Sequence, residues 1–192
     1  QEADETYNLK NVSLLPLVIK LGLESQQLFD AEVRGGLLIR SPSGWIPLQR
    51  IICYTAKDNG NNELRDDCFS TVRNWMRHNH CLFNEDVIEY NLVGKLCTYC
   101  GYFSEQRLRY LIQMSPVPLS VPCDSEEGTM LPIHWSTEQE DIQIFRFLLK
   151  AGLHYYPETV GFVFGDGRHR HSDGTLYQGT PYQLACKEYG QE

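Results

Sequence analysis

The sequence predicts an all-α chain assembled from repeated helix pairs, and three observations predict it. A short proline-led phrase recurs as Leu15-Pro16-Leu17, Ile46-Pro47-Leu48, Leu131-Pro132-Ile133 and Thr180-Pro181-Tyr182. The first and third phrases each lead, 20 residues after the proline, to a glycine, Gly36 and Gly152, so the two stretches superimpose without a gap. Before Gly152 the apolar residues keep helical spacing. Ile142, Phe145 and Leu149 stand at i, i+3 and i+7, Ile144 and Leu148 widen the stripe, and Gln143, Arg146 and Lys150 fall on the opposite side.

Each element follows from local chemistry. Proline suits the first position of a helix, where its missing N–H would be unpaired anyway and its fixed φ is already helical. Pro16, Pro47, Pro132 and Pro181 are therefore read as helix starts, and Thr180 can cap its helix with the hydroxyl. Gly36 and Gly152 are expected to close second helices in the left-handed conformation that glycine adopts at little cost. Unit one covers residues 14–37. Unit two, 45–79, begins 31 residues later and is announced by the turn Ser43-Gly44-Trp45. A degenerate unit, 92–119, lacks the proline; residues 96–100 form its first helix and 105–113 its second. Unit four is 131–153, an insertion follows over 154–179, and the last unit, 180–192, is cut in mid-repeat. The array is expected to continue beyond Glu192, with residues 187–192 frayed.

The phrase Leu131-Pro132-Ile133-His134-Trp135-Ser136-Thr137, running on to Ala151-Gly152, resembles one ankyrin repeat, and Thr180-Pro181-Tyr182-Gln183-Leu184-Ala185 is nearest to that family's opening phrase. Its irregular, divergent units, with a Tyr-Tyr-Pro after the second helix, resemble the ankyrin-like multigene families of diatoms and related algae. The resemblance implies a solenoid of four to five helix-turn-helix units acting as a protein-interaction scaffold. The binding surface of such an array is the concave face of first helices and fingers, which points to Trp45, Gln49, Trp135, Glu138, Gln139 and Gln183. Leu131, with Leu15 and Ile46, stands where the family prefers threonine, and only His134 keeps its histidine. From Gly152 to Thr180 is 28 residues, where a regular 33-residue period leaves about 12.

Composition narrows the function classes. A net charge of −8 argues against nucleic acid or anionic lipid as the main partner, and the longest apolar run, residues 14–19, is far short of the ~20 needed to span a bilayer. The partner implied is another protein. Within the insertion, Arg168-His169-Arg170-His171 is flanked by glycines and aspartates, which is loop chemistry. Its plainest reading is a solvated hairpin tip; the alternatives are an acidic or phosphorylated partner held by Arg168 and Arg170, or a metal held by His169 and His171.

Seven cysteines at scattered spacings fit a reducing compartment, cytoplasmic or, alternatively, nuclear. Cys97-Thr98-Tyr99-Cys100, preceded by His78, His80 and Cys81, also spells a zinc or redox site. In the repeat register both cysteines of the pair fall at inner positions of a first helix, so buried thiols are the expectation. No phosphate loop, Gly-x-Ser-x-Gly or His-Glu-x-x-His is present. His134 would be the candidate base, at a position where the resembled fold uses histidine structurally. No catalytic activity and no cofactor are expected.

Overall fold

Proline opens three of the helices. In the computed structural model, which describes residues 17, 21, 36–42, 44–53, 62–99, 104–122, 130–138, 142–170 and 176–190, α1 spans Pro47–Cys53 and α2 Asn62–His78. α3 is Asn84–Glu89, α4 Leu92–Tyr99 and α5 Glu105–Met114. α6, Pro132–Trp135, runs into a 3-10 turn, Ser136–Glu138, and is followed by α7, Ile142–Tyr155. β1, Gly167–Arg170, pairs antiparallel with β2, Leu176–Gly179, and α8 is Pro181–Tyr189. The described residues are mostly helical, and their strands are confined to the hairpin inside the insertion. Among them, no helix is long and apolar enough to cross a membrane.

The chain divides into two compact units, residues 1–83 and 84–192. In the first, α2 turns Phe69, Val72 and Met76 inward at i, i+3 and i+7, and Leu48 and Ile52 of α1 are fully buried. Gly36 sits at φ +90° and Gly44 at φ +80°, so both need the freedom of glycine. Gly44 closes a tight turn in which its N–H donates to Ser41 O (2.9 Å) and Ser41 N–H donates to Trp45 O (2.7 Å). α2 ends in a Schellman motif. Cys81 N–H donates to Met76 O and His80 N–H to Arg77 O, with His80 left-handed at φ +54° and Cys81 and Met76 both buried.

In the second unit α4 packs on α5 and α6, and α7 packs on α5 and α6. Asn91 caps α4, its side chain accepting from Gly94 N–H, and Ser104 caps α5, accepting from Arg107 N–H. The core gathers Leu92, Val93, Leu96, Leu111, Ile133 and Leu148. Burying each such side chain contributes roughly 1.5–3 kcal/mol against leaving it in water. α3 and α5, which pack on each other, each bury a charge of opposite sign, Asp86 and Arg107, an arrangement that low-dielectric surroundings permit only where charges are compensated.

Three readings of the sequence need correction. Gly152 does not end its helix: α7 runs on to Tyr155, and Tyr156 N–H still donates to Gly152 O at 2.8 Å. The stop is Pro157, which has no N–H to continue the ladder and disfavours helical backbone in the residue before it. The inward stripe of α7 is centred on Ile144, Phe145 and Leu148 rather than on Ile142 and Leu149, which are half-buried. Residues 187–189 are helical, not frayed, because the Tyr189 hydroxyl donates to Ser136 O at 2.9 Å and ties α8 down.

Candidate functional site

The proline-led helices share a cap built from the residue at their third position. At the start of α1 the Ile46 N–H donates to Gln49 Oε1 (3.1 Å); at α6 the Leu131 N–H donates to His134 Nδ1 (3.1 Å); at α8 the Thr180 N–H donates to Gln183 Oε1 (3.0 Å). One otherwise orphaned donor is met each time. Only Thr180 supplies the reciprocal half, its hydroxyl accepting from Gln183 N–H at 3.1 Å, which completes a capping box. Ile46 and Leu131 have no side-chain acceptor to offer.

His134 does more than cap. Because Nδ1 accepts, the proton is assigned to Nε2, which donates to Gly165 O at 3.0 Å. Burial lowers its pKa from the ordinary 6.5, against the opposing pulls of the Gly165 carbonyl and the Asp166 charge. The ring therefore stays neutral and holds the approach to the β1–β2 hairpin. The hairpin's base fits this so closely that a Cβ on Gly167 would lie 2.5 Å from His134 Cδ2. Its partner in the register, Gly179, sits at φ +154° with its Cβ position 3.3 Å from Gln183 Oε1. The base of the finger rests on two capping side chains, and only glycines let it come so near.

A second feature lies between α5 and α7. Their facing sides leave an open groove of about 410 Å³. Arg146, Lys150 and His154 line it from α7, and Glu105, Arg109 and Gln113 from α5, all of them exposed. Arg109 is ion-paired with Glu105 one turn before it, and its guanidinium lies 5.4 Å from the centroid of the Phe147 ring, which couples the two walls. Among the described residues, neither Arg146 nor Lys150 is in an ion pair. Among the described residues that line the groove, three formal positive charges and one negative sum to +2, on a chain whose net charge is −8.

The residues expected to form a binding face are placed as follows. Trp45 is half-buried, with the Arg50 guanidinium 4.8 Å above its ring. Gln49 is 4% exposed and turned into the cap of α1, so it is a helix-start residue rather than a surface contact. Gln183 is exposed, but its amide oxygen is held in the capping box. Trp135 is half-buried at the end of α6. Glu138 closes the 3-10 turn; Gln139 lies outside the described residues, as does Pro16. Arg168 is exposed on β1 and pairs with Gln178; Arg170 pairs with Leu176 at the far end of the ladder. His171 lies outside the described residues.

The metal-ligand candidates are spread differently. Cys81 is buried, its thiol 3.3 Å from Asn79 O, and Cys97 is buried on α4, whereas His78 and His80 are exposed. Cys100 lies outside the described residues. Among the described residues there is no grouping of three or more histidine, cysteine or carboxylate side chains able to hold a metal ion.

The groove is the feature that the sequence reading missed. Its signals were partly visible, since Arg146 and Lys150 fall on the outer face of α7 and Glu105 and Arg109 are spaced for a helical ion pair. Their convergence depends on which two helices become neighbours. No family model, curated protein or solved structure matches the chain.

Proposed function

We propose that the chain is a protein-interaction module, a divergent ankyrin-like array of helix pairs with no catalytic activity of its own. The observation that carries this reading is the recurrence of one helix start, with the third side chain reaching back to the cap N–H, at α1, α6 and α8. Two of those starts are followed by a longer second helix, α2 after α1 and, past the 3-10 turn, α7 after α6. Two are preceded by a reverse turn or hairpin, at residues 41–45 and 167–179. α1 carries the full succession of finger, short helix and long helix, and α6 and α8 carry parts of it; an array of stacked pairs needs that succession, because each pair buries its apolar face only against a neighbour.

The chemistry of His134 favours binding over catalysis. A general base must reach a substrate proton, and this ring is 1% exposed with both nitrogens engaged by backbone. The buried thiols of Cys53, Cys81 and Cys97 suit a reducing compartment, the cytoplasm in this proposal.

The test is affinity capture from the source cell, followed by titration of the purified captured protein into the purified chain with and without chelator. Saturable binding at a fixed stoichiometry, unchanged by chelator, is expected. Near-stoichiometric zinc in the purified protein, with unfolding in chelator, would replace this reading by a metal protein using Cys97, Cys100, His78, His80 and Cys81.

A further inference from the structure

We propose that the groove between α5 and α7 is the docking site for an acidic segment of a partner protein, one that carries an apolar side chain between its carboxylates. The proposal rests on the interaction-module reading and assigns it a surface.

Three observations identify the occupant. The first is charge. Glu105, the only carboxylate among the described residues that line the groove, already neutralises Arg109, so Arg146 and Lys150 stand one turn apart on α7 as like charges. Like charges at i, i+4 disfavour the free helix slightly, and an incoming carboxylate relieves that repulsion while gaining two charge-assisted hydrogen bonds.

The second is the floor. Phe147 is half-buried and Tyr155 exposed, and both line the groove. A purely ionic ligand would leave that apolar surface wet; a leucine or aromatic side chain set among acidic residues would cover it.

The third is length. Along α7 the lining residues run from Gln143 to Tyr155, which at 1.5 Å per residue is about 18 Å. An extended peptide advances about 3.3–3.6 Å per residue, so about five residues fit along the groove. A single phosphate or carboxylate would occupy a small part of it. An arginine already fixed over an aromatic ring on one wall, with unpaired cations on the other, gives such a segment a defined place before it arrives.

The experiment is fluorescence anisotropy of a fluorescein-labelled peptide, Glu-Asp-Leu-Glu-Glu, titrated with the full 192-residue chain at low and at physiological salt. Saturable binding is expected, weakening as salt rises. Arg146→Glu combined with Lys150→Glu should weaken it about tenfold or more, the sum of two exposed charge pairs of up to ~1 kcal/mol each, lost and made repulsive. The milder pair Arg146→Gln and Lys150→Gln should lie between. Arg77→Glu, on α2, should bind as the parent does. All three altered side chains, Arg77, Arg146 and Lys150, are exposed, and an unchanged melting temperature verifies that the fold is retained.

The proposal is overturned if the peptide shows no saturable binding, if the groove variants bind like the parent, or if Arg77→Glu loses affinity equally. It is also overturned if phosphatidylserine vesicles, and not the peptide, are held through Arg146 and Lys150. The two readings fail separately. A captured protein that binds the parent and the groove variants alike removes the groove and leaves the interaction module; the absence of any protein partner removes the module.

Discussion

The starts of α6 and α8 use the same bond in opposite surroundings. In each, the N–H of the residue before the proline donates to a side chain three positions on. At α8 the cap is reciprocal and exposed: threonine and glutamine satisfy each other at the surface. At α6 the first residue is leucine, the third is a buried histidine, and the ring's second nitrogen is committed to Gly165 O, 31 residues away. The local task is equal. What differs is reach, because imidazole has two polar atoms pointing apart, so one can serve the helix while the other holds the finger.

The comparison breaks most readily at His134. His134→Ala removes two hydrogen bonds, strands the Leu131 N–H and the Gly165 carbonyl, and opens a cavity. The expected cost is about 2–4 kcal/mol, read by urea unfolding; a cost within ~0.5 kcal/mol of that of Gln183→Ala would erase the distinction between the helices. The same site sets a pH dependence. Burial depresses the folded-state pKa of His134 below 6.5, so below that pH the unfolded chain takes up a proton that the folded one refuses. The contribution is complete above 6.5 and is lost as pH falls from there through the folded-state pKa. His134→Ala should flatten that part of the stability profile.

Gly167→Ala sharpens the comparison from the other side. Its Cβ would press on the imidazole at 2.5 Å, and overpacking of this kind costs about 1–3 kcal/mol. In the His134→Ala background most of that cost should vanish, since the ring it strikes is gone. Additive losses in the double variant would mean that the hairpin base is held by something else. Gln183→Ala should cost about 0.5–1 kcal/mol, the range for a helix cap. The smallest effect is expected at Gly152. It lies within the last turn of a helix with nothing within 4 Å of its Cβ position, so Gly152→Ala should stabilise by up to ~1 kcal/mol in thermal melts. A loss would restore a special role for that glycine.

What was legible in the sequence is what local chemistry decides. Pro132 and Pro181 open their helices because proline suits a first helical position; Thr180 caps because its hydroxyl needs no distant partner. The second helix expected over 105–113 is α5, Glu105–Met114, bounded by two serines at its caps. Gly152 was misread because a glycine at the end of an apolar stripe looks the same whether the helix stops or continues, and the residue that decides is Pro157. Gln49 and Gln183 were read as surface contacts because glutamine at the third helical position serves equally as a solvated side chain or as the returning half of a cap. The dual role of His134 and the groove between α5 and α7 depend on pairings between segments more than 30 residues apart in sequence. No local pattern encodes those.

The most direct test of the account is amide hydrogen exchange in His134→Gln. Glutamine at this helical position makes the returning cap bond in α1 and α8, so it can replace Nδ1 but not the bond from Nε2 to Gly165. The account predicts that the Leu131 amide keeps its protection while the hairpin amides of residues 167–170 and 176–179 exchange about tenfold faster or more, a local opening easier by roughly 1.4 kcal/mol. Loss of protection at Leu131 in step with the hairpin, or an unchanged hairpin, would contradict the claim that one side chain starts a helix and separately holds the β1–β2 hairpin.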